Sequence, residues 1–77
     1  MSYLIAKRTD EIGCYAIKTK PGKHLSNLVR EMNTITVGKG IEIVLLSNPD
    51  VFGEYAPYRY LKSEAEFREK VSSMITA

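Results

Sequence analysis

The sequence holds one thiol and one imidazole, Cys14 and His24, and their spacing limits the covalent chemistry it can support. A Cys–His pair transfers acyl groups only when the two side chains meet within about 3 Å, beside donors for an oxyanion. Along an extended strand and turn, these two would stand roughly 30 Å apart. Cys14 therefore reads as a small core hydrophobe. His24 reads as a solvated residue in the first turn of a helix, where the dipole disfavours its cation. One histidine and one cysteine, with no carboxylate pair at helical spacing beside either, do not make a zinc site. Asp50 and Glu54 share a loop and could be drawn as an acid–base pair, yet nothing nearby in sequence raises a carboxyl pKa. The expectation is a non-enzymatic chain with no catalytic residue, no metal and no cofactor.

Two stretches could bind rather than react. Lys20-Pro21-Gly22-Lys23 precedes a helix whose first N–H groups point outward, which is the physics of anion binding. It lacks the glycine and lysine spacing of a phosphate loop, so Lys20, Gly22 and Lys23 form a weak candidate beside the simpler reading of a solubilising turn. Residues 48–60 are the stronger candidate. A connection needs only Asn, Pro, Asp or Gly, but this one also carries Val51, Phe52 and three of the five tyrosines, Tyr55, Tyr58 and Tyr60. Aromatic rings bury large areas at low entropic cost and are enriched in recognition surfaces. In so small a domain some of them must also complete the core. Phe52 is assigned there, while Tyr55 and Tyr58 are expected to be partly exposed. Asp50, Glu54, Tyr55, Tyr58, Arg59 and Tyr60 are the candidate binding residues.

The elements that would position them follow from periodicity. Tyr3 to Arg8 and Gly13 to Thr19 read as two short strands of a hairpin, with Gly13 able to take a left-handed conformation at its loop. Pairing Leu4 with Ile17 gives a face of Leu4, Ala6, Tyr15 and Ile17. Pairing Ile5 with Ile17 gives Tyr3, Ile5, Tyr15 and Ile17, and a one-residue slip exchanges the two faces. Leu25, Leu28, Val29, Met32 and Ile35 or Thr36 fall at helical spacing and predict a helix over about 23–34. Its end is weakened by the β-branched run from Thr34 to Val37 and closed by Gly38-Lys39-Gly40. Ile41 to Ser47 is a strand with no polar face, expected to lie centrally in the sheet or to meet a partner on one side. Tyr58 to Leu61 is a short fourth strand. Ser63 followed by Glu66 is a capping-box pattern opening a helix over about 64–75, with Phe67, Val71, Met74 and Ile75 inward. The order β-β-α-β-(β)-α predicts an α+β fold: a small antiparallel sheet of three to four strands, with two helices on one face.

Composition bounds the rest. The chain has 77 residues, 44% of them apolar and 26% charged, which suits one domain, 1–77, near the lower size limit for a single core. A lone cysteine allows no internal disulfide, which fits a reduced, cytoplasmic setting. The N-terminus lacks the apolar stretch of a signal peptide, and no run reaches the ~18 apolar residues of a membrane span. A net charge of +2 with interspersed signs falls short of the clustered basic face of a dedicated duplex binder.

Tyr3-Leu4-Ile5-Ala6-Lys7, Gly13 to Thr19 and, above all, Gly53-Glu54-Tyr55-Ala56-Pro57-Tyr58 resemble a small bacterial family of uncharacterised proteins. The resemblance covers nearly the whole chain and implies a compact stand-alone protein, with no activity or site residue to carry over. The residues themselves point to a binding module for another macromolecule, with a second copy of the chain among the candidate partners. Single-stranded nucleic acid stacked on Tyr55, Tyr58 and Tyr60 beside Arg59 and Lys62 is one alternative, and a small-molecule or enzymatic pocket between loop and sheet is another.

Overall fold

The alternation of side chains along two adjacent strands gives the sheet two dissimilar faces, and every other element is placed by which face it covers. The computed structural model describes residues 2–48 and 53–76. In chain order the elements are β1 (Ser2–Arg8), β2 (Cys14–Thr19), α1 (Lys23–Thr36), β3 (Ile41–Leu46), a short 3-10 turn (Gly53–Tyr55), β4 (Tyr58–Tyr60) and α2 (Glu64–Thr76). This is the α+β order expected from the sequence.

The hairpin takes the register that pairs Leu4 with Ile17, Ile5 with Ala16 and Ala6 with Tyr15. Leu4, Ala6 and Ile17 therefore share a face. On it they meet Leu25, Leu28 and Met32 of α1 and Phe67 and Val71 of α2 in one buried cluster. Both helices lie on this face, as expected. Of the two candidates at the end of α1, Thr36 is buried and Ile35 is partly exposed. The helix continues through the β-branched run to Thr36, beyond the expected stop at 34. The hydroxyls of Thr34 and Thr36 donate to the carbonyls of Arg30 and Met32, so these residues satisfy their own polarity within the helix. The Ser63 hydroxyl accepts the Glu66 N–H at 3.3 Å, forming the expected cap of α2.

Two expectations about the sheet are corrected. β3 is not central: the strand order is β3-β1-β2-β4, which puts β3 at an edge. Its apolarity on both sides has another origin. Ile43 packs toward the helices, while Val44 and Leu46 belong to a second cluster on the opposite face. Cover on two faces, rather than neighbours on two edges, is what that pattern reports. The sheet is also mixed rather than purely antiparallel. β1 pairs antiparallel with β2 and β3, but β4 pairs parallel with β2, setting Cys14 against Tyr58 and Ala16 against Tyr60. The chain leaves β3 at one edge and re-enters as β4 at the other, so the connection must cross the sheet, and a crossing returns the chain in the parallel sense.

Gly13 anchors the arrival of that crossing. Its φ of +91° lies in the left-handed region, and a Cβ built there would stand 3.1 Å from the Pro57 carbonyl oxygen and 3.2 Å from Pro57 Cδ. The Cys14 N–H donates to the same Pro57 carbonyl at 3.0 Å, and the Leu61 N–H donates to Ala16 at 2.8 Å. These bonds clamp the two ends of β4 onto β2.

Candidate functional site

The second face of the sheet carries Tyr3, Ile5 and Lys7 of β1, Cys14, Ala16 and Lys18 of β2, Glu42, Val44 and Leu46 of β3, and Tyr58 and Tyr60 of β4, by alternation from the registers above. No helix covers it. Its middle is nevertheless dry: Ile5, Cys14, Ala16 and Leu46 are buried together, with Val44, Tyr55 and Tyr58 packed against them. Tyr55 comes from the crossing segment, and its hydroxyl donates to Glu42 Oε1 at 3.2 Å. Burial first, and the Glu42 carboxylate second, raise the Tyr55 pKa above its ordinary value. Burial likewise pushes the Cys14 thiol up to about 11, with the nearby Lys7 ammonium opposing.

Beyond that closed middle the face opens into a row of rings. Tyr58 and Tyr60 stack with centroids 6.2 Å apart and an interplanar angle of 24°. Tyr60 meets Tyr3 edge-on, also at 6.2 Å. Strand β2 runs between these last two, and its small Ala16, fully buried and paired with both Ile5 and Tyr60, leaves room for the rings to approach across it. Tyr60 is 55% exposed despite both ring contacts. Lys18, paired with Tyr3, is an exposed cation beside the row.

The helix-covered face carries a different arrangement at its β4 edge. Arg59 alternates away from Tyr58 and Tyr60, and its guanidinium lies 5.7 Å from the centroid of the Tyr15 ring. Lys70 Nζ from α2 lies 5.0 Å from the same ring, so two cations share one π face system. Arg59 Nη1 also donates to the Tyr15 hydroxyl at 3.3 Å. A dimple of about 40 Å³ lies near these residues, lined by Arg8, Glu11, Cys14, Tyr15 and Arg59, with room for a few water molecules.

The model of a family of unknown function, DUF6718, matches residues 1–74. The chain belongs to that family. No curated protein matches it. The expected resemblance to an uncharacterised family is thereby borne out, and the DUF6718 match takes in every strand and all five tyrosines.

Of the residues singled out in the sequence, Tyr58 and Tyr60 come together in the ring row, while Tyr55 turns inward toward Glu42 and Arg59 lies on the other face. Glu54 is exposed on the 3-10 turn. Pro49, Asp50, Val51 and Phe52 lie outside the described residues, so the core assignment of Phe52 and the Asp50–Glu54 pairing do too. Lys20 and Gly22 are exposed before α1 and Lys23 is exposed as its first residue, and the Gly22 carbonyl accepts the Ser26 N–H at 3.0 Å. Cys14 sits on the open face of the sheet and His24 on the helix of the other face, so the sheet stands between thiol and imidazole. His24 Nε2 instead meets the Glu64 carboxylate at 2.8 Å. Arg68 joins Glu64 and Glu31 in the same surface network between α1 and α2. Among the described residues no three His, Cys, Asp or Glu side chains are grouped to hold a metal, and no helix is long and apolar enough to cross a membrane.

Tyr3 is the member of the row that sequence reasoning left as a strand residue. Alternation alone separates Tyr3 from Leu4, but which of the two faces the helices take is not written in β1, where Leu4 and Ile5 are both buried. What was missing is the parallel placement of β4, which brings Tyr60 within ring contact.

Proposed function

We propose that the protein is a non-enzymatic binding module whose recognition surface is the ring row Tyr3–Tyr60–Tyr58, with a segment of another protein as its partner. The observation that carries this reading is Tyr60, more than half exposed while in ring contact on two sides. A ring already ordered by its neighbours loses little conformational freedom when a partner covers it, which is the property of an interface anchor. The small net charge of +2 favours a protein over a polyanion. Separation of Cys14 from His24 by the sheet supports the non-enzymatic part of the reading.

A second reading rests on Lys18. An exposed cation beside rings on a sheet face is the arrangement that stacks bases of single-stranded nucleic acid. Lys20, two residues after Lys18, and Lys62, two residues after Tyr60, are exposed and would extend the positive strip.

Photo-crosslinking from a benzoylphenylalanine at position 60, followed by mass spectrometry, distinguishes the two. The protein reading expects a discrete protein adduct that survives nuclease treatment and is lost in Tyr3→Ser and Tyr58→Ser but retained in Arg59→Ala. Adducts abolished by nuclease, with binding that weakens steeply as salt rises, would replace it with the nucleic-acid reading. Equal yields from all three variants would remove the ring row from consideration.

A further inference from the structure

We infer that β3 is a self-association edge, through which two copies of this chain pair antiparallel to form one continuous sheet. This surface lies at the opposite edge from β4 and does not depend on the ring row.

The backbone pattern defines which groups are available. The Thr9 N–H donates to the Gly40 carbonyl, so Thr9 and Gly40 form a hydrogen-bonded pair at the start of the β1–β3 ladder. Antiparallel ladders alternate, so Lys7/Glu42, Ile5/Val44 and Tyr3/Leu46 exchange the next bonds. The N–H and C=O groups of Ile41, Ile43 and Leu45 consequently turn outward, along an edge with no strand beside it among the described residues. Edges of this kind are usually guarded by proline, lysine, a bulge or shortness. β4, at the other edge, is only three residues long and is guarded in that way. β3 is six residues, Ile-Glu-Ile-Val-Leu-Leu, without proline, glycine or lysine.

A second copy is the occupant whose chemistry fits. With the two-fold axis at Ile43, each Ile41 meets Leu45 of the second copy and the two Ile43 residues meet each other. Every outward N–H and C=O then finds a partner. On the helix-covered face the contacts are aliphatic throughout, and Leu45, 47% exposed in the single chain, is covered. Val29, half-buried on the flank of α1 turned away from His24 and Glu31, stands on the same side. On the other face Glu42 lies opposite Val44 of the second copy. A register centred on Glu42 would set the two carboxylates against each other, and charge disfavours it. The product is a sheet of eight strands, four from each copy. A strand pair with a few flanking side chains is a small interface, below about 1,200 Å² in total, which corresponds to a weak and concentration-dependent dimer.

Sedimentation equilibrium of the full chain over a concentration series tests this directly. The expected result is a monomer–dimer equilibrium that Leu45→Lys weakens by about tenfold or more, with the circular dichroism of the fold retained. Amide hydrogen exchange supplies a readout that needs no variant. Raising protein concentration should increase protection of the Ile43 and Leu45 amides while leaving that of Val44, already bonded to β1, unchanged. A strictly monomeric protein up to about 1 mM would overturn the inference. So would a dimer that Leu45→Lys leaves intact, or one that Tyr60→Ser dissociates.

Discussion

Gly13→Ala tests the contact on which the placement of β4 depends. Two costs arise, and the structure separates them. Alanine at a φ of +91° pays the steric penalty of a left-handed or neighbouring conformation, about 1–2 kcal/mol. Its Cβ would also lie 3.1 Å from the Pro57 carbonyl oxygen, which accepts the Cys14 N–H. Moving Pro57 away weakens that hydrogen bond, worth about 0.5–1.5 kcal/mol net. The expected total is about 2–3 kcal/mol, a large part of the stability of a chain this size. In thermal unfolding that corresponds to a fall in Tm of roughly 8–24 °C. Gly38→Ala is the control, since Gly38 has a φ of +71° with nothing within 4 Å of its Cβ position. It should lose only the conformational part. Urea unfolding followed by circular dichroism gives both values on one scale. Because β4 carries Tyr58 and Tyr60, Gly13→Ala should also change the tyrosine fluorescence of the folded protein, and Gly38→Ala should not. Equal destabilisation by the two substitutions would refute the reasoning, since the Pro57 contact would then contribute nothing.

Other outcomes follow from the same geometry. Phe67 is fully buried between the helices and the sheet, so Phe67→Ala should cost about 3–5 kcal/mol and leave a largely unfolded chain by circular dichroism. The thiol of Cys14 is pushed from 9.0 to about 11 in the folded protein, so the fold favours its neutral form. That contribution is complete below pH 9 and is lost as pH rises toward 11. The difference in urea stability between wild type and Cys14→Ala should therefore narrow over that window by on the order of 2 kcal/mol. The Glu64 carboxylate pairs with an exposed His24, so Glu64→Gln should cost under about 1 kcal/mol, and less still in high salt, by the same unfolding assay.

The helices were legible because each buries one stripe against one face. Leu25, Leu28 and Met32, then Phe67, Val71 and Met74, repeat at helical spacing, and Ser63 and Gly38 mark their limits. The hairpin was legible as an element but not in register. Leu4 and Ile5 are both completely buried, one under the helices and the other under Tyr55 and Tyr58, so the alternation that would choose between faces is absent from β1. The same two-sided cover made β3 look central when it is an edge. β4 has three residues and pairs with a strand about forty positions earlier, a contact with no local pattern to announce it. The tyrosines of 48–60 drew attention as a surplus, but their count did not reveal that Tyr55 and Tyr58 close the second face while Tyr60 extends past it toward Tyr3.

The crossing from β3 to β4 also imposes an order on assembly. β1, β2 and β3 lie within the first 46 residues and can pair as they are made, with α1 laid over them. β4 can dock only once β2 presents its outer edge, and α2 is the last element in the chain. Until then Leu4, Ala6 and Ile17 lack Phe67 and Val71 above them, and Ile5, Cys14 and Ala16 lack Tyr55 and Tyr58 below. The last third of the chain thus seals both faces of a sheet laid down by the first two, and a nascent chain stopped before residue 55 presents two open apolar surfaces rather than one.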